Sequence, residues 1–214
     1  MRITPQCFIA LLLLGSALLT GCLYELTENR QSEAQPTKQS VINALRANNA
    51  GTHQEPWGSD AREILRRWPV EQGPVRIWAE ERVAGAALEG VEMVEKRLGF
   101  PLFEWVDNES NAQVVMLRRS KECSLQVNGG RDTSRHFDTP PVESAGMLKG
   151  PIYVHLNQRE CGDRYNVPIR AAMVAAGFVR LHTMRPPGPS EWKALETLYY
   201  NPPGTALADA DILW

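Results

Sequence analysis

Ile169-Arg170-Ala171-Ala172-Met173-Val174-Ala175-Ala176-Gly177-Phe178-Val179-Arg180-Leu181-His182 is the stretch on which the reading of this chain turns. Small and medium apolar side chains dominate it. Pro168 stands just before, where a helix can start, because proline is tolerated in a first helical turn. The pattern predicts a helix from there to about His182. Alanine and valine pack against neighbours and offer no chemistry, so this helix reads as a buried support.

A buried helix needs layers around it, and the flanks supply them. Upstream, Ile152-Tyr153-Val154-His155-Leu156 reads as a strand. Downstream, the proline-rich turn 184–189 precedes a last helix that opens at Pro189-Ser190-Glu191 and runs through Tyr200. Asn201-Pro202-Pro203-Gly204 closes it. Working back, 123–127 reads as a short strand and 128–141 as a polar loop. Two further strands, 103–106 and 112–117, are split by the turn-rich Asp107-Asn108-Glu109-Ser110-Asn111. Residues 80–98 read as a long helix with Val83, Ala87, Val91, Val94 and Leu98 on one face, and Gly99 ends it. Val75-Arg76-Ile77-Trp78-Ala79 alternates as a strand, and Ser59-Asp60 can cap a short helix through Trp68. The order predicts an α+β domain: a mixed β-sheet with a long first helix, a buried central helix and a C-terminal helix.

The chain has 214 residues, a hydrophobic share of 43% and a formal charge of -2. One domain with extensions is the natural division. The charge balance gives no support to a nucleic-acid partner.

The element order resembles the metzincin zinc proteases, the matrixin branch in particular. Residues 76–79 resemble their first strand and 80–98 their first helix. Ala112-Gln113-Val114-Val115-Met116 is similar to the strand often written A-D-I-x-I. Residues 152–158 look like the strand along the substrate cleft, and 190–200, with Leu195, Leu198 and Tyr199, resemble the closing helix often written L-x-x-L-Y. The resemblance spans about 69–204.

It lacks a centre. An active member carries H-E-x-x-H-x-x-G-x-x-H, in which two His one helical turn apart hold zinc and the Glu between them activates water. Matching Gly177 to the small residue before the second His puts Val174, Ala175 and Phe178 at those three positions. Matching His182 to the third His puts Ala172, Met173 and Ala176 there. In either register both helix ligands and the general base are gone. The resemblance therefore implies no catalytic residue, no metal ligand and no cofactor, and a domain that binds a peptide or protein in a degenerate cleft. Two alternatives stand beside it: a metal-dependent peptidase with ligands relocated to His136, His155 and His182, and a structural protein of unrelated fold. Ser144-Ala145-Gly146 is not a nucleophile elbow, and Gly129-Gly130 lacks the Lys of a phosphate loop.

The N-terminus has its own logic. Arg2 is followed by the apolar runs 8–14 and 17–19, too short for a membrane span of about 20 residues and suited to a signal peptide. Leu19-Thr20-Gly21-Cys22 resembles the lipobox of bacterial lipoproteins. That resemblance implies cleavage of 1–21, diacylglycerol on the Cys22 thiol and acylation of the new amino group. Leu23, where inner-membrane lipoproteins of that class tend to carry Asp, points to the outer membrane, facing the periplasm. Residues 22–58 form the lipidated N-terminus and a polar segment read as a flexible tether, in which Val41-Ile42-Asn43-Ala44-Leu45 can form a brief helix. Residues 59–214 form the single α+β domain. Cys123 and Cys161 are the remaining mature cysteines, and in an oxidising envelope two such cysteines usually pair, with two isolated thiols or two metal ligands as the competing readings. Such a bond would contribute about 3 kcal/mol.

Overall fold

Val75, Ile77 and their alternates Arg76 and Trp78 set a two-residue period, and the chain there forms β1, Val75–Ala79. In a computed structural model of the protein, residues 35–50, 63–118, 123–128, 146–157, 161, 166–178 and 184–214 are described. All of these residues except Gln35 belong to one compact unit, Pro36–Trp214. Its strands are β1, β2 (Phe103–Trp105), β3 (Val114–Arg118), β4 (Ser124–Asn128) and β5 (Ile152–Asn157). They form one sheet in the order β2-β1-β3-β5-β4. Every pairing is parallel except β4 against β5. The α+β class with a mixed sheet is therefore as expected.

The turn at 107–111 does not join neighbours, because β1 lies between β2 and β3. Parallel strands normally need a crossover of a dozen or more residues. Here stagger removes that need. β2 ends opposite Ile77 (Ile77↔Trp105) and β3 begins there (Ile77↔Val114). The link has only to step sideways across β1, which it does through a 3-10 turn at Glu109–Asn111 capped by Asn108 Oδ1.

One face of the sheet, with Val75, Ile77, Val114, Met116, Ile152, Val154, Leu156 and Leu125, carries the main core. Four helices complete the unit: α1 (Lys38–Leu45), α2 (Glu81–Leu98), α3 (Val167–Ala175) and α4 (Pro189–Tyr200). α2 buries Val83, Ala87, Gly90, Val91 and Val94, and ends at Gly99 in the left-handed conformation. The Glu95 carboxylate accepts the Leu102 and Phe103 amides at 2.8 Å each, which fixes the approach to β2. The opposite face carries a smaller cluster of Ala112, Val115 and Leu117 with Trp78, Val106 and Tyr153 around it.

Three expectations are corrected. First, the segment read as tether reaches into the core. α1 starts at a Thr37–Ser40 capping box and buries Val41, Ala44 and Leu45, and a π-helical turn, Arg46–Ala50, follows. Ser190 Oγ, at the start of α4, donates to Ser40 Oγ at 2.7 Å. The spacing of Val41, Ala44, Leu45 and Asn48 is the i, i+3, i+4, i+7 face of a docked helix. Second, 63–68 is not helical. It runs extended between two segments, with Leu65 bonded to Thr205 and Gly204, and Arg67 to Gly146 and Leu148. Third, β5, read as a strand lining a cleft, is interior, with β3 on one side and β4 on the other. The edge strands are β2 and β4.

α2 and α3 approach so closely that Gly90 has no room for a side chain. A Cβ there would stand 2.1 Å from the Pro168 carbonyl oxygen and 3.2 Å from Ala172 Cβ. Gly85, on the same helix, is exposed with nothing within 4 Å. Alanine is favoured over glycine in a helix by about 1 kcal/mol, while forcing atoms into a packed core costs about 1–3 kcal/mol or more. Urea denaturation should therefore find Gly90→Ala destabilised by about 2 kcal/mol or more, and Gly85→Ala unchanged or stabilised by up to about 1 kcal/mol. Equal effects at the two sites would contradict this account of the contact.

Candidate functional site

α3 occupies the place where the resemblance puts a catalytic helix. It is shorter than expected, ending at Ala175 instead of near His182. A Schellman closure stops it: the Gly177 amide donates to Val174 O and the Phe178 amide to Met173 O, both at 2.9 Å. Gly177, at φ 112°, takes the positive value that this closure requires. At the other end Asn166 Oδ1 accepts the Ile169 amide at 3.1 Å.

Every residue of α3 is buried. At the positions matched to zinc ligands and base, Ala172, Met173, Val174, Ala175 and Ala176 are wholly buried, and Phe178 is 1% exposed. This surface is a packing face, and Ile169, Met173 and Phe178 each contribute about 1.5–3 kcal/mol by burial.

A helix buried at its C-terminus still has carbonyls to satisfy. Three side chains from three distant segments do this. Trp68 Nε1 donates to Ala175 O at 2.6 Å, Tyr199 Oη to Ala176 O at 2.8 Å, and Asn49 Nδ2 to Gly177 O at 2.7 Å. Asn49, wholly buried, also donates to Arg66 O and accepts the Arg66 amide. Arg67, itself buried, stands 5.7 Å from the Tyr199 ring centroid and pairs with Glu71. The hydrogen bond from Arg67 holds the Glu71 carboxyl below its ordinary range. The single charge on α3, Arg170, is 2% exposed, and its guanidinium pairs with both Glu191 oxygens and donates to Arg185 O at 2.6 Å. None of these roles was read from the sequence, because they pair residues far apart in it.

The predicted site residues fall as follows. Cys123 and Cys161 are bonded, with Cα atoms 4.9 Å apart. His155 is on β5, 2% exposed, and alternation turns it to the sheet face opposite Val154 and Leu156, away from α3. It therefore faces no cleft at the helix. Cys22, His136 and His182 lie outside the described residues, as does the loop predicted at 128–141 apart from Asn128, which ends β4. Among the described residues, no group of three or more His, Cys, Asp or Glu side chains is placed to hold a metal ion, and no helix is long and apolar enough to cross a membrane.

Beside His155 lies a polar strip. Gln126 on β4 is its register partner, and Ser124 is that of Asn157 on β5. His155 and Asn157 are buried. Among the described residues, Ser124 Oγ and Gln126 Oε1 are the buried side-chain atoms without a hydrogen-bond partner, a cost of about 1–3 kcal/mol each. The surface also carries a groove of about 350 Å³ between α2, α4 and the C-terminus, lined by Phe100, Tyr199, Tyr200 and the Arg97–Glu196 pair. Comparison with protein families, with curated proteins and with solved structures gives no match.

Burial pushes the Tyr199 phenol well above its ordinary value of 10.0, outweighing the nearby Arg67 charge. The unfolded chain releases that proton near pH 10 and the folded protein does not. Stability from this group is complete below that pH and is lost as pH rises past it. Tyr199→Phe should cost about 1–3 kcal/mol at neutral pH by leaving the Ala176 carbonyl without its donor. It should also lose less stability than the parent between about pH 7 and about pH 11. Denaturant midpoints at the two values check this, and parallel losses in parent and variant would exclude the assignment.

Proposed function

We propose that the protein is a lipid-anchored bacterial envelope protein whose folded unit is a non-catalytic relative of the metzincin zinc proteases, and that it binds a peptide or protein. The anchor rests on the signal-like segment and on Leu19-Thr20-Gly21-Cys22. The location that follows is the outer membrane, facing the periplasm. More than one acyl chain on Cys22 would make the attachment stable, since one chain alone binds marginally.

The observation that carries the non-catalytic reading is α3. Zinc catalysis needs about three protein ligands, one open coordination position and a base beside the bound water. α3 is buried throughout and offers no carboxylate or imidazole at any matched position. The metzincin likeness itself is supported by the succession strand, long helix, strands, buried helix and closing helix around a largely parallel sheet. Binding without chemistry is the activity such a unit would retain.

Two experiments test this. Metabolic labelling with a radioactive fatty acid should mark the parent and not Cys22→Ala, which should be released or mislocalised; equal labelling of the two would refute the anchor. Metal analysis after dialysis should find no stoichiometric zinc, with no peptidase activity above buffer. One tightly held zinc per chain would overturn the non-catalytic reading and promote ligands relocated to His136, His155 and His182. Installing Val174→His, Ala175→Glu and Phe178→His together should unfold the protein before it restores activity, because each buries an unpartnered polar group at about 1–3 kcal/mol.

A further inference from the structure

We propose that the Cys123–Cys161 disulfide is a redox latch on the edge strand β4, and that reducing it releases β4 from the sheet while the rest of the fold stands. Position comes first. β4 is antiparallel to β5 with Ser124 opposite Asn157, so the start of one strand meets the end of the other. Cys123 immediately precedes β4, and Cys161 follows β5. The bond closes that end of the ladder and ties β4 to the strand it pairs with.

The noncovalent hold on β4 is that of an edge strand, a single five-residue ladder with β5. β1, β3 and β5 each have two neighbours, whereas β4 pairs only with β5. β2 is also an edge, but Phe103 is buried and the Glu95 carboxylate grips the amides of Leu102 and Phe103. On β4 only Leu125 is buried against the core, with Val127 partly so. Its other face carries Ser124 Oγ and Gln126 Oε1, buried without partners. Both atoms regain hydrogen bonds in water when the strand leaves, so detachment relieves a cost that staying imposes. The bond's two residues are only partly buried, within reach of a small reductant.

In the release step a dithiol exchanges with the bond. Two electrons and two hydrogens pass to Cys123 and Cys161, which become thiols, and the dithiol closes to its own disulfide. The outer edge of β5 is then open, a row of N–H and C=O groups of the kind that pairs with an extended chain.

Hydrogen exchange followed by mass spectrometry on the full chain, oxidised and then reduced with dithiothreitol under native conditions, decides the matter. The expected result is exchange at 124–128 faster by about tenfold or more, with the 152–157 amides directed at β4 also faster and α2 and α4 unchanged. Cys123→Ser/Cys161→Ser should reproduce that pattern without reductant. Unchanged protection at β4 after complete reduction would overturn the latch. So would a loss of protection spread evenly over α2, α3 and α4, which would make the bond a brace for the whole fold. The result is independent of whether the protein is lipidated or binds zinc.

Discussion

A helix enclosed on all sides must give its last carbonyls to something other than water, and the rest of this structure is arranged around that requirement. α3 presents Ala175, Ala176 and Gly177 carbonyls to the interior, and Trp68, Tyr199 and Asn49 receive them. Each donor arrives on a different piece of chain: the extended 63–68 segment, helix α4 and the turn after α1. Those three pieces are thereby located relative to one another by contacts to one helix end. An unmet carbonyl in such a place costs more than a typical hydrogen bond contributes, so the three cannot be displaced independently without a penalty.

The same end explains two features that look unrelated. Arg67, next to Trp68 on the extended segment, is buried as well. Its guanidinium is then satisfied by Trp68 O, Asn201 O and the Glu71 carboxylate. Residues 46–50 form a π-helical turn and not a further α-helical one. Within that turn Asn49 reaches both Gly177 O and the Arg66 backbone. At the opposite side of α3, Gly90 lets α2 close onto Pro168 and Ala172. α3 is thus held by backbone contact on one flank and by polar donors at its tip.

Much of this was legible in the sequence, and the limits are physical. Strands β1, β3 and β5 and helices α2 and α4 follow from local periodicity, and Gly99 from capping. The burial of Ala172, Val174, Ala175 and Phe178 follows from side-chain type alone. Sheet order was not legible, because it depends on the stagger of β2 and β3 along β1 and not on any single segment. The brief helix at 41–45 was legible but its docking was not, because composition averaged over 25–59 hides a short apolar face among polar residues. Asn49, in the turn after α1, is a polar residue whose partners are remote. The bonded cysteines were readable by elimination, but their placement at the β4–β5 end was not.

The apolar surface of α3 and its complete burial are one fact seen twice. A zinc-binding helix must keep imidazoles and a carboxylate turned toward a water-filled cleft, so part of its surface stays open. Here that surface is Ala, Val, Met and Phe, and the helix can be covered entirely. Full cover creates the carbonyl problem at Ala175–Gly177. Trp and Tyr suit it, because each has an apolar body to fill the space and one polar atom to donate. An open catalytic cleft would have left those carbonyls to water and made Trp68 and Tyr199 unnecessary there. α3 therefore presents no surface to a ligand, while the β4 edge and the groove beside Tyr200 lie at the periphery.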